Sequence, residues 1–566
     1  MRPDRTSSVS QYELVQIIQS LVRNAATVAR CNDIRKIVTI GQPAVILLIP
    51  LLKNKDYAVR WVGVEALGRI GEVAIPDLIP LLKDPDKDVR SSATDALGNM
   101  GELAKSAIPD LVPLLKDPDK DVRSDATDAL GNMGELAKSA IPDLILLLKD
   151  QNERVRWSAT LALERMGESS KSAIPDLIPL LKDPNDLVRS RAASALGGMK
   201  ESAKLAIPDL ILLLKDPDKG VRWSATFALD RMGELAKSAI PNLILLLKDP
   251  NDLVRFQAVY TLGNMGKSAK SAIPDLILLL KDPDKGVRSM AVYALDRMGE
   301  LAKLAISDLI PLLKDPNDLV RLRAASALGN MGELAKSAIP DLIPLLKDPN
   351  DLVRSSAASA LGGMKEPAKS AIPNLILLLK DPNKNVRSSA VSALINMGEL
   401  AKSAIPDFTL FLKNEDKSVR LSAVSALRNM GELAKSAIPD LILLLKDEDI
   451  YVRSSAAYTL GMMGESGKLA IPDLIPLLKD EDKYVRSSAA YALGMMGESG
   501  KLAIPDLIPL LKDPNEVVRW RSAYALGRMG DSAKLVIPDL IPLLKDQDEK
   551  VRSAAAEALQ KLGYKP

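Results

Sequence analysis

From residue 42 to the C-terminus, hydrophobic and polar positions follow one pattern that returns after 30 residues once and every 33 residues thereafter. The stretch Ser106–Lys138, SAIPDLVPLLKDPDKDVRSDATDALGNMGELAK, shows it clearly. A first apolar group, Leu111, Val112, Leu114 and Leu115, predicts a short helix over about Ile108–Lys116. Pro109 suits its first turn, where the missing N–H costs nothing. Pro113 removes one backbone bond and predicts a kink. Leucine takes that place in other units (Leu146, Leu212, Leu245), so the kink is tolerated rather than required.

Asp117-Pro118-Asp119 reads as a turn, with Asp119 as N-cap of a second helix over about Lys120–Met133. Val122, Ala126, Ala129, Leu130 and Met133 recur at spacings of three and four, the mark of one buried helical face. Gly134 is placed to end this helix in a left-handed cap. One such helix pair is too small to bury its own stripes, whereas stacked pairs share a continuous core. The expected architecture is an all-α solenoid, each pair touching only its neighbours.

The Val-Arg dipeptide marks the register. Its arginine stands at 60 and 90 and then at every 33rd residue to Arg552. Tyr12–Gly41 reads as a degenerate first repeat whose Gln16, Gln19 and Arg23 give it a polar outer face. A second degenerate unit with Gln560 and Lys561 closes the array. Two regions follow: residues 1–41, a polar N-terminus with a capping repeat, and residues 42–566, the array. Seventeen helix pairs at a spacing of about 8–10 Å predict a contour of about 150 Å.

The motif AIPDLIPLLKDP-x-x-x-VR-x-x-A-x-x-AL-G resembles bacterial HEAT repeats of the type found in phycobilin lyases and deoxyhypusine hydroxylases. The resemblance covers about Gly41–Pro566. It implies a right-handed superhelix with the second helices on the concave side. It also implies a hydrogen-bonded Asp–Arg ladder between repeats. Here Asp117 precedes Arg123 by six residues, and the spacing recurs in Asp84/Arg90, Asp183/Arg189 and Asp282/Arg288; only Asn54 and Asn414 depart. Arginines needed identically in every unit are read as frame, not as a ligand grip.

Lys plus Arg number 76 and Asp plus Glu 73, for a net charge of +3, which is not the footprint of a nucleic-acid binder. With a single cysteine, Cys31, no internal disulfide forms and a reducing compartment is expected. The longest apolar run, Pro43–Leu52, is about half of the roughly 20 residues of a membrane span, and the N-terminus lacks a signal-peptide core. The expectation is a cytoplasmic protein without membrane contact.

The chain has no histidine, so the His-Glu iron site of the hydroxylases cannot be carried over and histidine-based acid–base catalysis is excluded. One cysteine cannot build a thiolate zinc site, and no phosphate-binding glycine motif occurs. No cofactor and no catalytic residue are expected.

Counted from the repeat arginine, the second helix varies most at −2, +1, +5, +8 and +9. These offsets share one side, while +3, +6, +7 and +10 stay constant on the other. All four tryptophans, Trp61, Trp157, Trp223 and Trp520, sit at +1, as does Phe256. Phe227, Tyr260, Tyr293, Tyr458, Tyr491 and Tyr524 sit at +5; Tyr451 and Tyr484 sit at −2. Two candidate docking patches result, in the residue types that enrich interfaces. The central one comprises Trp157, Trp223, Phe227, Phe256, Tyr260 and Tyr293, with Arg165, Arg231 and Arg297 at +9. The C-terminal one comprises Tyr451, Tyr458, Tyr484, Tyr491, Trp520, Tyr524 and Arg528, beside Met462 and Met495. Early units carry an acidic zone, Asp88, Asp95, Asp121, Asp125 and Asp128. Phe408 and Phe411 replace first-helix leucines and are expected in the core.

The reading that follows is a non-catalytic scaffold that binds a protein in its concave groove. The alternative, implied by the resemblance, is a phycobilin lyase-like protein or bilin chaperone. Aromatic rings could stack bases, but the variable face lacks the lysine lining that nucleic acid requires.

Overall fold

The computed structural model describes residues 16, 37, 38 and 40–564. Among them every regular element is helical and no strand occurs. Most of the predicted N-terminal cap, Gln19 and Arg23 included, lies outside the described residues. The array separates into two compact units, Met1–Leu279 and Leu280–Pro566. Within each, helix pairs stack as an α-solenoid.

One repeat shows why the sequence folds this way. Ile108–Leu111 is α-helical and Val112–Lys116 continues as a 3-10 helix. Pro113 cannot donate to the carbonyl four residues back, so the α turn ends there. Where leucine replaces it, as in Ile141–Leu147, the α-helix runs longer. Pro344 and Pro476 are nevertheless held inside α turns, so the switch is a bias. Asp119 caps the second helix, Lys120–Asn132, by accepting from the N–H groups of Asp121 and Val122. Ala126, Ala129, Leu130 and Met133 are buried, as the constant offsets require.

The helix end differs from expectation. Gly134 has φ +56, but the equivalent Gly101 and Gly233 combine positive φ with ψ near −130. That is not the left-handed helical cap; it is a region open mainly to glycine. Beyond it the chain continues as a 3-10 helix, Gly134–Ala140, which buries Ala137 and Ala140. Lys200 (φ 48) and Lys365 (φ 53) occupy the same position in two units, and both are strained.

The ladder joins repeats. Arg123 donates through Nη1 to the carbonyls of Asp117 and Pro118 in its own turn. Its Nε and Nη2 donate to the Asp150 carboxylate of the next repeat at 2.8 and 3.1 Å. Asp150 in turn accepts from the Asn152 N–H. The geometry recurs from Arg90–Asp117 to Arg519–Asp546. Asn414 breaks one rung: Arg387 keeps its two carbonyls, yet it is 4 % exposed and its Nε has no partner.

A second device sets how closely second helices approach. At +8 most repeats carry glycine, and it faces the +6 alanine of the next repeat. A Cβ on Gly131 would stand 2.9 Å from the Ala162 Cα, and one on Gly494 2.6 Å from the Ala525 Cα. Glycine therefore allows backbone-to-backbone packing. Within each unit, second helices with glycine at +8 pack more extensively on the next than those with Glu164, Asp230, Asp296, Ile395 or Arg428 there, though Gly68 only slightly so. Offset +8 was expected on the free face; it belongs to the seam. Helix Lys384–Asn396, which has Ile395 at +8 and the broken rung of Arg387, meets the next repeat where Phe408 and Phe411 are buried in place of leucine. These two rings are core, as expected.

Candidate functional site

Offsets +1 and +5 line a groove along the second helices. A serine at +1 reaches the serine at +2 of the next repeat: Ser124 and Ser158 hydroxyls lie 3.0 Å apart, and Ser190 and Ser224 2.7 Å. An aromatic ring at +1 therefore has the next repeat's +2 residue on one side and open groove on the other. No predicted patch ring is buried: Trp157, Phe256, Trp520 and the +5 rings are half-buried, and Trp223 is 37 % exposed.

In the first unit, Trp223 and Phe227, one turn apart, stack at 5.3 Å with planes 6° apart. The Arg231 guanidinium lies 5.7 Å over Phe227. Trp157 carries the Arg191 guanidinium at 5.1 Å, and Arg191 also donates to Glu164 at 3.1 Å. A recess of about 420 Å³ opens between Arg191 and Trp223, with Lys219 and Leu253 on its walls. Arg165 bonds to Asn132 across repeats. The central patch is divided: Trp157, Trp223, Phe227, Phe256 and Tyr260 belong to the first unit, Tyr293 and Arg297 to the second. Arg297 is exposed, and Tyr293 lies under the Arg323 guanidinium at 5.5 Å.

The second unit holds a continuous stack. Tyr458 and Tyr491 lie 4.9 Å apart at 11°, Tyr491 and Tyr524 6.1 Å apart at 12°. Trp520 tilts against Tyr524 at 6.5 Å. The Tyr491 hydroxyl donates weakly to the Met462 sulfur at 3.8 Å and Tyr524 to that of Met495 at 3.6 Å. Burial first, then the neighbouring Tyr458, pushes the Tyr491 phenol above its usual range. Arg528 closes one end, its Nε donating to the Gly494 carbonyl. Tyr451 and Tyr484 stand exposed at the rim, with Lys483 over the Tyr484 ring.

Arg521 organises this stack. Its guanidinium lies 5.2 Å over Tyr491, 5.6 Å over Trp520 and 5.8 Å over Tyr458. Its Nε is buried without a hydrogen-bond partner. Desolvation pulls its pKa below the usual arginine range. It faces a groove of about 600 Å³.

The acidic zone is partly neutralised from within. Asp88 pairs with Arg60 at 3.0 Å, and Arg154 reaches Asp121 and Asp125. Asp125 also accepts from Ser91. Crowding by protein atoms, then the charges of Asp125 and Asp128, push Asp95 up to about 7, although its side chain is exposed to solvent, which weakens this push. Burial pushes Asp125 to about 6. Among the described residues no group of His, Cys, Asp and Glu side chains could hold a metal ion, and no helix is long and apolar enough to cross a membrane.

The HEAT repeat profile matches in overlapping stretches that run without a gap from residue 14 to residue 566, among them 14–98, 240–329 and 504–566. The chain belongs to the HEAT repeat family. No curated protein sequence matches it. Among solved structures, it is similar to Kap95p in complex with RanGDP, at 12 % identity and a TM-score of 0.64, over 98 % of this chain and 90 % of that one. It is also similar to importin beta crystallised in ammonium sulfate, at 14 % identity and a TM-score of 0.50, over 98 % and 85 %. At such identities the likeness is one of fold.

Sequence reasoning missed the arginines at +2 of the HEAT repeats: Arg191, Arg323 and Arg521. Serine is usual there, and a lone change in three units is easily overlooked. A signal existed. Each follows a repeat with an aromatic at +1 or +5, namely Trp157, Tyr293 and Tyr491.

Proposed function

We propose that this HEAT repeat protein is a non-catalytic scaffold that docks a protein partner on the variable face of its second helices. Residues 42–566 form the binding array, and residues 1–41 its cap. The observation that carries the reading is that the aromatic rings at −2, +1 and +5 keep a solvent-facing side while the constant offsets are packed away, Ile70 excepted as half-buried. Rigid aromatic rings beside arginine and methionine, on a scaffold that fixes their spacing, are suited to anchoring a partner segment. In the first unit the anchors are Trp157, Trp223, Phe227, Phe256 and Tyr260, with Arg165 and Arg231. In the second they are Tyr293 with Arg297, and the set Tyr451, Tyr458, Tyr484, Tyr491, Trp520, Tyr524 and Arg528. The solved neighbours were captured with or without protein partners such as RanGDP. A cytoplasmic setting suits the composition.

Affinity capture from the native source, with wild-type protein and with the pairs Trp223→Ala/Phe227→Ala and Tyr458→Ala/Tyr491→Ala, tests the reading. One defined protein lost from either pair, with helicity intact, supports it. Equal capture by all three proteins contradicts it. The bilin alternative, which belongs with the phycobilin lyase type of these repeats, is measured alongside by adding an open-chain tetrapyrrole to the pure protein. A shift in its absorbance that both pairs abolish would replace the scaffold reading.

A further inference from the structure

The groove beside Arg521 has an unbalanced lining. Arg428 and Arg521 are its charged residues; no carboxylate borders it. The serines at 454, 455, 487 and 488 supply hydroxyls along its floor, and Tyr458, Tyr484 and Val517 supply apolar wall. Three aromatic faces hold the Arg521 guanidinium, a buried Nε has no acceptor, and no acidic side chain is among the charges that act on it. A guanidinium offers five N–H donors in a planar fork that matches a carboxylate. Cation–π contact satisfies its faces but none of those donors.

The contrast with Arg191 is direct. That residue occupies the same offset, yet Glu164 of the preceding repeat neutralises it. The corresponding residue for Arg521 is Gly494, which has no side chain to offer. Arg323, at the same offset and likewise desolvated without a carboxylate, donates to the Ser289 carbonyl, whereas the Arg521 Nε has no acceptor.

We infer that the C-terminal groove binds an acidic peptide segment, with one of its carboxylates on the Arg521 guanidinium and its apolar side chains against the tyrosine stack. The inference rests on the docking reading above and names the ligand chemistry at one of its patches. A nucleic acid fits less well. Two arginines and no lysine in the lining provide no track for successive phosphates.

The test uses the full chain and a displayed library of random 12-residue peptides. Selected sequences should be enriched in Asp and Glu interleaved with apolar residues. A fluorescein-labelled copy of the strongest binder is then titrated by anisotropy, beside a copy with Gln for every Glu and Asn for every Asp. The neutral copy should bind wild-type protein at least about tenfold more weakly, as expected for one charge-assisted pair. Arg521→Met should weaken the acidic copy by a similar factor and leave the neutral copy unchanged. The comparison of the two peptides on wild-type protein needs no variant, so it holds even if Arg521→Met perturbs packing. Binders without acidic enrichment, or equal affinity for both copies, would overturn the inference while leaving the docking reading intact. Displacement of the acidic peptide by an equal concentration of oligothymidine would mark a nucleic-acid site and also overturn it. No selected peptide at all, or the same set selected by Tyr458→Ala/Tyr491→Ala, would sink both.

Discussion

Glu164 in the first unit and Gly494 in the second occupy the same offset, and they do opposite things. Glu164 keeps its helix from packing as intimately on the next, and its carboxylate takes up Arg191. Gly494 lets two backbones meet at Ala525, and the arginine that follows is left with rings and no acid. One position thus sets both the tightness of a seam and the charge balance of the groove beside it. The difference teaches that a HEAT array built from near-identical repeats can be specialised locally. The frame of ladder arginines and buried alanines is constant, and single changes at +2 and +8 decide which stretch is self-neutralised and which is left without an acid.

The strongest way to break this contrast is Gly494→Glu. It would supply the missing acid, but its Cβ would lie 2.6 Å from the Ala525 Cα. We expect a loss of about 3 kcal/mol at that seam, as overpacking of a close contact costs. Repeat arrays seldom unfold in one step, so the loss is best read by hydrogen exchange in helices Lys483–Met495 and Glu516–Arg528. Unchanged protection would mean that glycine does not set the seam.

Next in size is the broken rung. Asn414→Asp gives the buried Arg387 the acceptor that its counterparts have, and should stabilise the repeats around it by about 2 kcal/mol, the range for hydrogen bonds to charged groups. Slower exchange in Lys384–Asn396 checks it. No gain would show that Phe408 and Phe411 have already reset that seam.

The contrast between the two +2 arginines is sharpened by paired substitutions. Arg521→Met should cost the acidic peptide about tenfold in affinity, or about 1.4 kcal/mol, while Arg191→Met should leave it unchanged. Equal effects would remove the distinction that Glu164 makes.

Each unit also carries one strained lysine. Lys200→Gly and Lys365→Gly should each stabilise by about 1 kcal/mol, because positive φ without a Cβ carries no strain. Denaturant midpoints for the two variants measure this, and a loss would contradict the account.

The effect most weakened by solvent screening, because Asp95 is exposed, distinguishes the units by pH. Asp95 and Asp125 have folded-state pKa values of about 7 and about 6, above the unfolded value near 3.8. The folded state therefore holds these protons more tightly. Its stability from them is present at low pH and declines as pH rises from about 4 to 7. Helices Lys87–Met100 and Lys120–Asn132 should exchange relatively faster at pH 8 than at pH 5, after correction for intrinsic rates. Asp95→Asn should flatten that dependence.

Much of this was legible in the sequence because it repeats. The Asp–Arg ladder was visible as an invariant spacing, and the buried face as a period of three and four. Phe408 and Phe411 were placed in the core from their first-helix register. The role of +8 was not legible, because a glycine that permits close approach looks like a position free to vary until the facing alanine is seen. Arg521 was missed for a related reason. Its importance lies in what surrounds it: rings from two preceding repeats and the absence of an acid, neither of which is local in sequence. The 3-10 segment after Gly134 has too few apolar residues to show a period.

The most direct measurement places a photo-crosslinking benzoylphenylalanine at Tyr491, on the second-helix face, and in a separate protein at Leu443, a first-helix leucine that is 63 % exposed. Irradiation with the selected acidic peptide should give an adduct from position 491 and none from position 443. An adduct from position 443 alone would put the partner on the opposite helices and contradict the account.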